Sequence, residues 1–174
     1  MSSFSEESLE KKLSDLNNSQ QSIQQLSLWI IHHRKHYNKI AHTWSREFYK
    51  IQNSRKLTFL YLANDVVQNS RKKAPEFAKE FGSVLKKVVE HLANLKLDEK
   101  TVKSISRLLQ IWQERVIFDP KIQESMNKSW KNRRAVVKSA PLEEPGTPPL
   151  PKKPRKGKTY VYKIGISYLL TYFE

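Results

Sequence analysis

The 174-residue sequence predicts an all-α domain followed by an extended tail, and three observations carry that expectation. Glycine is scarce (4 in all), and six of the eight prolines fall between Pro141 and Pro154, so residues 1 to 134 hold few helix breakers. Within that stretch apolar residues recur at spacings of three and four. No segment of it alternates as a half-buried strand would. The apolar content of 38% is sufficient for a packed core.

The elements follow in order. Ser3 to Glu6 fits a capping box, and Leu9, Leu13 and Leu16 continue a first helix until Asn17-Asn18-Ser19 interrupts it. Ser19 caps a second, with Ile23, Leu26, Trp29 and Ile30 as a buried stripe that fades into His32-His33-Arg34-Lys35-His36. Ile40, Trp44, Phe48 and Ile51 mark a third helix, and Leu57, Leu60, Ala63 and Val67 a fourth. Pro75 suits the first turn of a fifth, carrying Phe77, Phe81, Leu85, Val88 and Leu92. Asp98 caps a sixth, with Val102, Ile105, Leu108, Leu109 and Trp112. Asp119-Pro120 opens a last helix bearing Ile122, Met126 and Trp130. Short connections between amphipathic helices imply stacked antiparallel helix pairs. Residues 133–158 read as a Pro/Lys-rich extended linker, and residues 159–174 as a tail with strand-like composition but no partner strand.

Composition also bounds the function. Cysteine is absent, which removes disulfides, Cys-ligated zinc and thiol catalysis and fits a reducing compartment. The N-terminus lacks the apolar core of a signal peptide, and no run of apolar residues is long enough to span a bilayer, so a soluble intracellular protein is expected. No phosphate-binding glycine loop, nucleophile elbow or zinc-protease pair is present, so no enzyme and no cofactor is expected. His32 and His36 share a helical face but lack a third ligand type nearby, and read as a solvated basic helix end rather than a metal site.

The net charge of +15 calls for an acidic partner. Residues 131–174 carry ten Lys+Arg against three Glu, leaving +8 on the helical part.

Two segments carry candidate chemistry. In RKLTFLYLANDVVQNSRKK (Arg55 to Lys73), Tyr61, Asn64, Asp65, Gln68 and Asn69 recur at intervals of three and four, away from the apolar face. Amides offer both donors and acceptors, which suits an extended peptide with unpaired backbone groups. The alternative is that Asn64 and Gln68 satisfy buried loop backbone and Asp65 pairs with Arg71 or Lys72. In KSISRLLQIWQER, Lys103 and Arg107 share a face, and Arg115 is offset from Arg107 by about 80°. They suit a phosphoserine clamp; the alternative is a surface ion pair of Arg107 with Glu99 or Glu114.

LSLWIIHHRKH, the Arg55–Lys73 segment and SRLLQIWQERVIF together resemble the RNA polymerase II C-terminal-domain-interacting domain, over about residues 2–132. The resemblance implies a right-handed superhelix of eight helices, similar to those of endocytic adaptors. It further implies a nuclear adaptor whose groove binds the phosphorylated heptad repeats of the polymerase tail. Tyr61, Asn64, Asp65 and Asn69 would then line the ligand, with Asp65 accepting from its tyrosine hydroxyl and Asn69 holding its backbone. Asn18 and Gln20 would stand at the other wall, Arg107 would meet a serine phosphate, and Lys72, Lys103 and Arg115 would add cationic contacts. PKKPRK (Pro151 to Lys156) then reads as a nuclear import signal. Close relatives continue into a dimer-forming helical region that nothing after Thr159 resembles, so a homo- or heterodimer is implied only for a longer form. The rival readings are an endocytic adaptor and a basic RNA-binding protein. Against the latter, direct nucleic-acid binding is not expected, because Trp29, Trp44 and Trp112 fall on apolar stripes.

Overall fold

Four of the seven α-helices among the described residues begin where a side chain satisfies an amide that no preceding turn can reach. In the computed structural model, which describes residues 4–133, the elements are α1 (Glu6–Asp15), α2 (Gln20–His32), a 3-10 turn (Arg34–His36), α3 (Tyr37–Lys50), α4 (Asn53–Ser70), α5 (Glu76–Ala93), α6 (Glu99–Glu114) and α7 (Pro120–Asn132). Among the described residues there is no strand. Ser19, Asp98 and Asp119 cap α2, α6 and α7 as expected, their side chains accepting from the amides of Ser22, Thr101 and Lys121. The first helix differs. Ser5 caps it by accepting from the Ser8 amide at 3.1 Å. Glu6 therefore turns outward to Thr43 and Arg46 instead of closing a capping box on Ser3, which lies outside the described residues. Pro75 stands one residue ahead of α5, at its N-cap.

The helices form two layers. In one, α1, α3, α5 and α7 pack in succession; in the other, α2 packs on α4, and α4 makes a lighter contact with α6. Adding a helix to each layer in turn produces a helical superhelix. Helix α4 is central, touching α2, α5 and α6, and is buried at most positions of its circumference. Trp44, Phe48, Phe59 and Phe81 form an aromatic core with ring centroids 5.4 to 6.3 Å apart. The Trp44 indole donates to the Phe59 carbonyl at 3.2 Å, so this ring is buried without an orphaned donor.

Some stripe residues are less buried than periodicity predicts. Leu57, Val102, Ile122, Ile51 and Trp29 are only partly covered. Trp29 instead meets Phe4 and His33, with the Lys12 ammonium 5.3 Å above its ring. His36 stacks on Phe4 at 4.5 Å. A lone aromatic on an amphipathic helix end is covered by whatever the neighbouring segment brings, which spacing along its own helix does not encode. The described residues all belong to one compact unit. The linker and tail expected over 133–158 and 159–174, including PKKPRK, lie outside the described residues apart from Arg133.

Candidate functional site

The polar row of α4 is not a solvated face. Asn64 and Asp65 are each only 3% exposed, and Trp112 of α6 reaches Asn64. Asn64 accepts at Oδ1 from the Trp112 indole (2.9 Å) and from Gln68 Nε2 (2.7 Å), while Arg115 Nη1 donates to Gln68 Oε1 at 2.6 Å. These amides bond to side chains across two helices rather than to loop backbone. Asp65 Oδ2 accepts from Asn69 Nδ2 at 3.0 Å, one helical turn on.

Tyr61 is half-buried at the start of the row, with Ser104 of α6 near its phenol. Burial raises the phenol above its ordinary value, and the Ser104 contact acts in the opposite direction. Ser104 is flanked by Lys103 and stands one turn before Arg107 on α6.

Both cations have carboxylate neighbours. Lys103 Nζ lies 2.7 Å from Glu99, both side chains well exposed, and the ammonium holds Glu99 below the usual carboxylate range. Arg107 lies 3.8 Å from Glu114, with 39% of its side chain exposed. At that distance and exposure the pair is weak and easily displaced by a stronger anion. Lys72 is exposed in the turn after α4. Arg71 donates to the carbonyls of Arg115 and Val116, both at 3.3 Å, and so braces the end of α6.

Asn18 and Gln20 are exposed at the α1–α2 turn. Arg55 secures that turn, its guanidinium donating to the carbonyls of Leu13, Ser14 and Leu16. Two contributors escape a periodic reading of the sequence: Arg55, and Trp112 as a donor rather than only a core ring. A polar residue within the site segments is the one signal that marks them, and it does not name the partner.

Stacked helix pairs around a central helix with a buried polar row define an all-α superhelical domain. Its residues 7–126 match the CID domain family model, and the chain belongs to that family. It is similar to human and mouse "Regulation of nuclear pre-mRNA domain-containing protein 1B", 53% identical over 135 residues, which is 78% of this chain and 41% of each relative. It is 51% identical to human "Regulation of nuclear pre-mRNA domain-containing protein 1A" over 129 residues, 74% of this chain and 41% of the relative. "CID domain-containing protein 1" of Caenorhabditis elegans is 34% identical over 121 residues, 69% of this chain and 38% of that protein. The chain thus spans about two fifths of the length of these relatives.

Proposed function

We propose that the chain is a non-enzymatic nuclear adaptor. Its ligand is the phosphorylated heptad-repeat tail of RNA polymerase II, and its role is to link transcription to pre-mRNA 3′-end processing, termination or tail dephosphorylation. Membership of the CID domain family and the names of the relatives support this reading. The observation that carries it is the hydrogen-bonded joining of the α4 polar row to the end of α6, through Asn64 and Trp112 and through Gln68 and Arg115. In this arrangement Tyr61, Asn64, Asp65 and Asn69 fix the register of an extended peptide, with Asp65 taking the ligand tyrosine hydroxyl. Asn18 and Gln20 form the opposite wall, while Arg107 reads a serine phosphate with Lys103, Lys72 and Arg115 nearby.

A charge-assisted contact contributes about 1.5–3 kcal/mol, or roughly ten- to a hundredfold in affinity. Arg107→Ala is therefore expected to weaken a doubly phosphorylated repeat peptide by that factor and leave the unphosphorylated peptide nearly unchanged, as read by fluorescence anisotropy. Equal losses for both peptides would remove the phosphate role. Binding that falls steeply with salt and ignores Asp65→Asn would instead favour a polyanion such as RNA.

A further inference from the structure

Two donor-only groups bound the hydrogen-bonded line that joins α6 to α4. The Trp112 indole can only donate, and so can the Arg115 guanidinium. Asn64 must therefore turn its oxygen toward Trp112, and that same oxygen receives Gln68 Nε2. With its nitrogen committed to Asn64, Gln68 presents its oxygen to Arg115. A reversed Gln68 amide would set nitrogen against nitrogen at Arg115 and oxygen against oxygen at Asn64. The polarity of the line is thus forced from both ends.

Arg115 is held in two ways. It is the C-cap of α6, where a long cation ordinarily lies over its own helix's last carbonyls. Here its side chain reaches α4 instead, and its carbonyl accepts from Arg71. The next residue, Val116, has φ 50, a conformation that a β-branched residue keeps only when its surroundings impose it. The amides of Val116 and Ile117 close on Gln113 and Trp112, a Schellman turn without its usual glycine.

We propose that Gln68 is the positioning residue for Arg115, holding its guanidinium against the polar face of α4 so that an anion on the ligand is read in fixed register with Asn64 and Asp65. The inference rests on the peptide-binding reading above. A cation that is already ordered loses less rotamer freedom when it meets its anion, which corresponds to about three- to tenfold in affinity.

The test uses the full chain and a two-repeat peptide with and without phosphoserines. Gln68→Met keeps the length of the side chain and removes both hydrogen bonds. It is expected to weaken the phosphorylated peptide by about three- to tenfold, leave the unphosphorylated peptide close to wild type, and add nothing to Arg115→Ala. The Trp112 indole N–H resonance should also shift, since Asn64 loses a donor. Gln68→Glu, which places a carboxylate on Arg115, is expected to produce a larger loss for the phosphorylated peptide alone, and it decides the matter if Gln68→Met does not fold. The proposal is overturned if both Gln68 variants bind as wild type, if the Gln68→Met and Arg115→Ala losses multiply, or if Arg115→Ala has no effect. Failure of the peptide-binding reading is separable, because Asp65→Asn and Arg107→Ala would then also bind as wild type.

Discussion

The guanidinium of Arg55, in the first turn of α4, donates to the Leu16 carbonyl at 2.8 Å, across 39 residues of sequence. The same nitrogen reaches the carbonyls of Ser14 at 2.8 Å and Leu13 at 3.3 Å. One cation thus occupies the carbonyl end of α1, where the helix dipole favours positive charge, and pins the turn that carries Asn18 and Gln20.

Arg55→Ala should lower stability by about 1–2 kcal/mol, since the contacts are charge-assisted but partly exposed. Urea melts measure this. On the proposed reading the same variant should weaken phosphorylated and unphosphorylated peptides by a similar factor, because it would disturb the wall assigned to Asn18 and Gln20 and not a phosphate contact. A loss confined to the phosphorylated peptide would contradict that assignment.

Removing the competitor of Arg107 should have the opposite sign. Glu114 lies 3.8 Å from Arg107 and also accepts from Gln110 at 2.7 Å. An exposed pair is worth about 0–1 kcal/mol, so Glu114→Gln should tighten the phosphorylated peptide by up to about fivefold. The unphosphorylated peptide should be unaffected in the same titration.

Val116 should tolerate glycine. A left-handed conformation costs an L-residue about 1–2 kcal/mol, and glycine loses about 0.5–1 kcal/mol through its greater unfolded freedom. Val116 is 62% exposed, so little packing is lost. Val116→Gly should therefore raise the thermal midpoint by a few degrees. A lower midpoint would mean that the valine side chain, not the backbone bonds, holds the turn.

Lys56 links stability to pH. It is buried (2% exposed), donates to the Phe48 carbonyl at 2.7 Å, and burial lowers its pKa from the ordinary lysine value. The unfolded chain then binds the proton more tightly, so stability rises with pH between the folded value and 10.5 and is reduced below it. Compared with Lys56→Met, the wild-type chain should gain stability as pH approaches 10.5, and parallel urea melts across that range check the sign. A difference between the two chains that stays flat with pH would show that the ammonium is not destabilised by burial.

Much of the helical framework was legible in the sequence because its causes are local. Ser19, Asp98 and Asp119 cap the helices that their spacing predicted, and Phe77, Phe81, Leu85, Val88 and Leu92 are all buried along α5. The cap of α1 moved from Ser3 to Ser5, since two serines two positions apart serve equally well until Glu6 is drawn to Arg46 and Thr43. The 3-10 turn at Arg34–His36 also escaped periodicity, because three residues are too few to show a period.

The sequence by itself determined the helices, the class of fold and the identity of the polar row, because each depends on the order of residues within a single helix. Only the tertiary structure decided what those polar groups bond to. Asn64 and Gln68 offer donor and acceptor alike as isolated amides, and it is the donor-only groups of α6, Trp112 and Arg115, that give them direction. That direction depends on two helices meeting, and spacing along one helix carries no record of its neighbour.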